Sequence, residues 1–308
     1  KLQFLKMIHY VKREDLEVAK YNDCIENSIQ SRIYAFSWYL DIVADNWDVL
    51  VLNDYEAVMP VPFRRKFGVN YVYPPFWLLE LGLFSLKDAI DYKAFFKVLF
   101  GKFKSIELRL NTKNNIEASE SFLIEKQMQT LAMQGDYETI FNAYRKDRKK
   151  DLRKSKKINL TENWNYDPQK LVQLFRANVG KRTPYIVDKD YKVLQYLMKT
   201  CIEKGVGEVL SIYNSESKLV ASGFFLKHKN EVTILVSSTD FDNRKNGENT
   251  FLIDRAIYKY QKTFGIFNFG GSSMQQIAKY FLSFGAKTSQ YQQVKYTNLP
   301  YLLRLFKR

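Results

Sequence analysis

The sequence predicts an α/β (α+β) protein in which one order of elements occurs twice. Short runs of alternating apolar residues are interspersed with longer runs of helical periodicity, so strands and amphipathic helices share the chain. With 308 residues the chain exceeds one small core, and two domains are expected. Each half reads strand, two helices, antiparallel strands, helix, strand. A duplicated fold follows, with domains at 1–135 and 136–308, each a sheet flanked by helices.

The first half opens with an apolar strand at 4–11. Asp15 is placed to begin an amphipathic helix through Leu16, Ala19, Tyr21 and Ile25, and a second helix covers 35–46. A strand pair follows at 47–66, turned by Asn53 and Asp54. Segments 105–111 and 125–133 alternate like strands. A long helix then starts near Asp136, a plausible cap, and runs to 157 as the basic entry to the second domain.

In the second half, "INLTEN" reads as a strand, and 166–179 as a helix with Pro168 in its first turn. Another helix, 189–205, stops at Gly205. Three strands (207–214, 218–229 and 231–239) are separated by "SES" and "KN" turns. A helix over 249–265, a strand over 266–271, a helix over 273–285 and a strand over 289–296 complete the order.

Composition excludes several classes. Aromatic content of 16% argues against disorder, and no apolar run reaches the length of a spanning helix. The start "KLQFLKMIHYVKRED" places Arg13, Glu14 and Asp15 too early for a secretory signal. Cys24 and Cys201 lie far apart, as do His9 and His228, so neither a metal site nor a Cys/His nucleophile pair is expected, and the reducing cytoplasm is the expected compartment. The net charge of +15 suits an anionic partner or simply a soluble lysine-rich surface. About half of that excess lies in residues 143–157, "AYRKDRKKDLRKSKK". Ile140, Tyr144 and Leu152 recur at multiples of four, so one face of this segment is expected to pack while the others carry the charge.

The loop "RKNGEN" carries a resemblance. Arg244, Gly247 and Asn249 fall where the GNAT acyltransferase pattern has Arg or Gln, then Gly, then Gly or Ala. Asn249 departs from the small-residue rule, and a glycine turn with an Asn cap is the plainer account. The segment "FNFGGSSMQQIAKYFLSFGA" (267–286) resembles the closing strand and helix of the Fem-type branch, whose members carry two GNAT-like domains. That branch includes peptidoglycan aminoacyltransferases, which draw on aminoacyl-tRNA, and uncharacterised bacterial relatives. "VLNDYEAVMPVPFRRKFG" (51–68) is similar to the first domain of those relatives. The resemblance implies two GNAT-like domains, each with a mixed, mainly antiparallel sheet. It further implies Arg244, Gly247 and Asn249 as the cofactor-binding loop, where backbone N–H groups meet a pyrophosphate.

Other candidates follow from position. Asn268, Gly270 and Gly271 end a strand, where ligands sit and glycine clears space. Ser272 stands beside them, and its plainer role is to cap the last helix with Gln275. GNAT enzymes often carry a tyrosine four residues before the glycine to protonate a leaving thiolate. Here that position is Phe281, and Tyr280 faces elsewhere by one helical step. Arg182 and Tyr185 lie between the two opening helices, a region that in this fold borders the acceptor cleft; a linker stiffened by Pro184 is the equal alternative. Asp240 and Asp242 are candidate bases or turn formers. Trp38 and Arg64 are first-domain candidates for a second ligand, with Trp38 also readable as core.

The resemblance implies N-acyl or aminoacyl transfer to a substrate amine from acyl-CoA or aminoacyl-tRNA, with no metal and no tightly bound cofactor. A small-molecule or peptide amine would be the acceptor. The basic helix 145–157 would attract tRNA or an anionic lipid surface. The alternative is a non-catalytic ligand-binding protein on a degenerate GNAT fold.

Overall fold

The computed structural model describes residues 7–88, 90–114, 116, 120–165, 167–242, 244–271 and 274–299, with the backbone alone at 165, 244 and 271. In chain order the elements begin β1 (Ile8–Val11), α1 (Val18–Asn27), α2 (Ser37–Val43), β2 (Asn46–Leu52), β3 (Ala57–Lys66), β4 (Val69–Val72), β5 (Phe84–Ser85), α3 (Tyr92–Lys102) and β6 (Ser105–Arg109). Next come β7 (Leu123–Ala132), α4 (Tyr137–Asn142), α5 (Lys146–Lys157), β8 (Thr161–Asn165), α6 (Pro168–Ala177) and α7 (Asp188–Glu203). The chain continues through β9 (Gly207–Tyr213), β10 (Leu219–His228), β11 (Glu231–Thr239), α8 (Glu248–Tyr260), β12 (Ile266–Gly271), α9 (Gln275–Leu282) and β13 (Lys287–Thr297).

These elements make two compact units, one from Lys1–Lys126 with Gln290–Arg308 and the other from Gln127–Ser289. The first unit orders its strands β1-β2-β3-β4-β6-β13, with β5 on β3. The second orders them β8-β9-β10-β11-β12-β7. In each, four antiparallel strands lead to a parallel fifth, reached through one helix, and an antiparallel strand closes the row. The two rows therefore repeat one strand order, with β4 of the first row not foreseen from the sequence.

The expected boundary at 135/136 is corrected. The strand expected to finish the first domain, β7, pairs with β12 in the second unit, from Ile266↔Ala132 to Gly271↔Met128. The strand expected to finish the second, β13, pairs with β6 in the first, from Gln293↔Arg109 to Thr297↔Ser105. Each row is closed by the strand that follows the other unit. Alternation shows that a segment is a strand but not which distant edge it joins.

Each sheet is covered by the helices that its sequence periodicity requires. In the second unit Phe224 and Phe225 point to opposite faces: Phe224 lies beside Gly207, as does Cys201 of α7, while the Phe225 ring lies 5.8 Å from Tyr260 of α8. Both phenylalanines are fully buried. Asp167 caps α6 by accepting from Gln169 N–H, and Pro168 occupies the first turn as expected. Cys24 and Cys201 are buried, and burial pushes both thiols up to about 12, which leaves them inert as nucleophiles.

Two local expectations change. The first helix starts at Val18 after a short 3₁₀ turn over Arg13–Asp15, so Asp15 is not its cap. The basic helix 136–157 is two helices. Between α4 and α5, Arg145 is extended (φ −64°, ψ 153°), and its N–H leaves the helix to donate to the Ser283 carbonyl at 2.9 Å. Ile140 and Tyr144 are buried and Leu152 packs on the same core, as the spacing required.

Candidate functional site

In the second unit, β11 and β12 run parallel and pair at three positions: Glu231↔Ile266, Val232↔Phe267 and Thr233↔Asn268. Among the described residues no pair follows. β11 keeps β10 on its far side up to Ala221↔Thr239, and β12 keeps β7 to Gly271↔Met128. The register shift between Phe224 and Phe225 leaves Leu235 as a bulge, and a bulge bends its strand. It falls where β11 and β12 part. The facing edges of residues 234–239 and 269–271 thus lack a strand partner at the carboxyl ends of parallel strands, where open sheets take ligands. An extended, amide-bearing chain fits such a gap by pairing as a strand.

The first unit also has a parallel pair, β4 and β6, meeting at Val72↔Ile106. There the chain closes its own gap. Leu81 returns beside β6, its N–H donating to the Arg109 carbonyl and its carbonyl accepting from Asn111 N–H, both at 2.8 Å. Asn114 then holds Leu83 by one bond in each direction, each 2.8 Å. A Cβ on Gly82 would lie 2.0 Å from the Asn114 Oδ1, and its φ is +108°, so glycine is required. The open gap belongs to the second unit.

The loop from β11 to α8 carries several expected residues. Asp240 is 8% exposed and forms an ion pair with Lys218 at 2.7 Å, so it is committed to the turn rather than free as a base. Its Oδ1 also accepts from Asp242 N–H. Arg182 stacks on Phe241 with 4.2 Å to the ring centroid, and Asn178 accepts from Phe241 N–H at 2.8 Å. Arg182 is thereby brought to the loop, whereas Tyr185 stands 65% exposed. Gly247 has φ +91° and precedes α8; a Cβ there would meet the Asp151 carbonyl oxygen at 2.6 Å. The glycine is thus needed for its backbone and for the approach of α5. The side chain of residue 244 and the whole of residue 272 lie outside the described residues.

Tyr280 of α9 is held by neighbouring side chains. Its hydroxyl accepts from Asn249 Nδ2 at 3.1 Å and lies 3.2 Å from Thr250 Oγ1. Arg148 of α5 stacks on its ring at 4.6 Å, donates to Thr250 Oγ1 at 2.7 Å and pairs with Asp151 at 3.1 Å. Burial raises the phenol, against smaller downward effects of Thr250, Arg148 and Asn249. Asn249 and Tyr280 together tie α8 to α9. Phe281 packs in the core with Phe269 (centroids 4.9 Å), as expected for a non-catalytic residue.

Asn268 is 2% exposed, donates to Glu231 at 2.9 Å and accepts from Gly270 N–H at 2.8 Å. It fixes the point where the strands part, with its side chain bonded within the fold. Opposite this bend Gln129 of β7 is fully buried, with neither amide atom hydrogen-bonded among the described residues. Gln129→Leu is expected to raise unfolding stability by about 1 kcal/mol or more in a denaturant titration, because two unsatisfied groups are removed. A loss of stability would mean that the amide has a partner.

No model of a known protein family matches the sequence, nor does any curated protein. Solved structures do match. FemX aligns over 95% of this chain and 98% of its own with a TM-score of 0.65 at 9% identity. A tandem GNAT protein from the clavulanic acid biosynthesis pathway aligns over 94% and 98% with a TM-score of 0.55 at 8% identity. The chain has the tandem GNAT fold of the Fem-type proteins. A third relative of this fold, the C-terminal domain of a putative lysylphosphatidylglycerol synthetase from Agrobacterium fabrum, aligns over 94% of both chains with a TM-score of 0.55 at 11% identity.

Within this Fem-type fold, the first-unit candidates are held by neighbours. Arg64 pairs with Asp45 and stacks on Tyr73 at 4.0 Å. Trp38 is half-buried, with its ring 5.4 Å from that of Tyr39. Also in this unit is a cleft of about 700 Å³ between the ends of β1, β2 and α3, where Asp41 pairs with Arg13 and Asp48 accepts from Tyr10. Among the described residues no group of side chains suits a metal ion, and no helix is long and apolar enough to cross a membrane.

The two acids of helix α5 in the second unit are taken up by Arg145 and Arg148. Asp147 accepts a two-pronged bond from Arg145, and Asp151 accepts from Arg148 and Thr250. Lys146, Lys150, Arg153, Lys154, Lys156 and Lys157 are exposed and make no ion pair among the described residues. Sequence reasoning found the run but could not tell which charges are spent internally.

Proposed function

We propose that the protein is an N-acyl- or aminoacyltransferase whose reaction runs in the gap between β11 and β12. The amine of an acceptor attacks the carbonyl carbon of an activated ester or thioester. A C–N bond forms, the C–O or C–S bond breaks, the nitrogen loses a proton, and the leaving oxygen or sulfur takes one up. The observation that carries this reading is the parting of two parallel strands after three pairs, which leaves an edge for an extended donor or acceptor. Because Asp240 and Tyr280 are committed to neighbours, rate enhancement comes from orientation in the gap, with protons exchanged with water. The basic face of α5 favours a polyanionic donor such as tRNA.

The engagement of Tyr280 also favours a second reading, a non-catalytic ligand platform. One experiment separates the two. The protein is melted with acetyl-CoA, CoA, bulk tRNA or UDP-linked cell-wall precursors, then incubated with labelled aminoacyl-tRNA or acetyl-CoA and the same acceptors. The transferase reading expects a higher Tm with at least one compound, about 2.7 kcal/mol at a hundredfold excess over Kd, and label in the acceptor. A Tm shift without transfer supports the platform; no shift and no transfer would discard the transferase.

A further inference from the structure

Glu248, the first residue of α8, is a charged side chain only 1% exposed. Its carboxylate accepts from Asn246 N–H at 3.2 Å and is also drawn down by its own backbone N–H. These amides belong to the turn that left-handed Gly247 makes between β11 and α8. Inward-pointing amides at the positive end of a helix form a nest for an anion. The carboxylate lies inside that nest rather than in solvent. Burial holds its carboxyl above the ordinary value despite the two N–H groups, and Asp240, itself paired with Lys218, adds to the rise. On another side the turn is covered by α5, whose Asp151 carbonyl oxygen sits 2.6 Å from where a Cβ of Gly247 would be.

We propose that Glu248 is a specificity-determining residue: its carboxylate is the resident anion of the α8 nest and closes it to the pyrophosphate of a nucleotide-linked thioester. The proposal rests on the transferase reading and narrows its donor to one held by other surfaces. A pyrophosphate entering the nest would meet Glu248 and Asp240 at close range in a loop already backed by α5, and like charges at such distances repel strongly. An acidic residue that only favours the helix end would do so equally well from solvent, since that effect needs proximity and not burial.

The test titrates inorganic pyrophosphate and, separately, CoA into the full chain by calorimetry, comparing wild type with Glu248→Gln and Glu248→Ala. Glutamine keeps the size of the side chain while removing its charge, so it carries the test if alanine does not fold. Wild type is expected to show no saturable binding up to about 1 mM, and folded Glu248→Gln a gain of about tenfold or more. Wild-type binding as tight as that of Glu248→Gln would overturn the proposal, as would a folded Glu248→Gln that gains nothing. Wild-type turnover of acyl-CoA sinks this inference and leaves the transferase standing. A gain in the variants with no transfer from any donor does the reverse.

Discussion

Changing Lys150, Arg153, Lys154 and Lys157 together to glutamine is expected to weaken binding of bulk tRNA on the order of a hundredfold at low salt. The slope of log affinity against log salt should fall by about three, because each lost phosphate contact releases roughly one counterion fewer. These four are exposed and unpaired among the described residues, so their removal should leave stability within about 0.5 kcal/mol. Lys149 is left in place because its ammonium donates to the Asn142 carbonyl at 2.9 Å and lies 5.5 Å over Phe141. Filter binding across a salt series reads both quantities. An unchanged slope would reduce the basic face to solvation. Loss of binding to anionic phospholipid vesicles with tRNA binding intact would make the partner a lipid surface.

Replacing Glu80 by alanine is expected to cost about 3–5 kcal/mol, the largest single effect on stability foreseen in the first unit. Glu80 is 1% exposed and meets Arg32 at 2.5 Å, with the guanidinium itself only 13% exposed. Its other oxygen accepts from Thr112 N–H, and Arg32 donates to Thr112 Oγ1. Without the carboxylate, the mostly buried guanidinium loses its ion-pair partner and keeps its bonds to Thr112 and the Ser31 carbonyl. The double variant Arg32→Met with Glu80→Met should recover most of the loss, since removing both charges removes the desolvation that each imposes. Denaturant unfolding of both single variants and the double gives the coupling. A cost for Glu80→Ala below about 1 kcal/mol would show that water reaches the arginine.

The sequence made the repeated order legible because strand alternation and helix periodicity are local signals. The meander β9–β10–β11 was marked by its "SES" and "KN" turns, and α6 by Pro168. The exchange of β7 and β13 was not legible, because an alternating strand fits any half-buried edge. Nor was the closure at Leu81, which depends on a return of the chain after the Pro-Pro stretch and on Gly82 beside Asn114. At the candidate site the structural demand on Gly247 could not be read from the sequence, because it depends on the distant helix α5. Gly247 answers to its own φ and to Asp151, so Gly247→Glu would disturb folding whatever the donor. Burial and bonding were the part of the remaining candidates that the sequence could not show. Asp240, Asn249, Asn268 and Tyr280 are polar residues near a gap, yet each is bonded to a neighbour.

The strand that closes the first row has a consequence for synthesis. Gln293 donates to Glu107 across 186 residues of chain, and the strand holding it is among the last described residues. While the ribosome is still translating the second unit, β6 has a bare edge, open to chaperones or to another nascent chain. The first unit can begin to fold early but cannot finish until the chain as far as Thr297 has emerged. A pair contact of such sequence separation also slows the final step, because the loop must close before the pairing rewards it. A fragment stopped at residue 135 would keep that edge permanently unpaired.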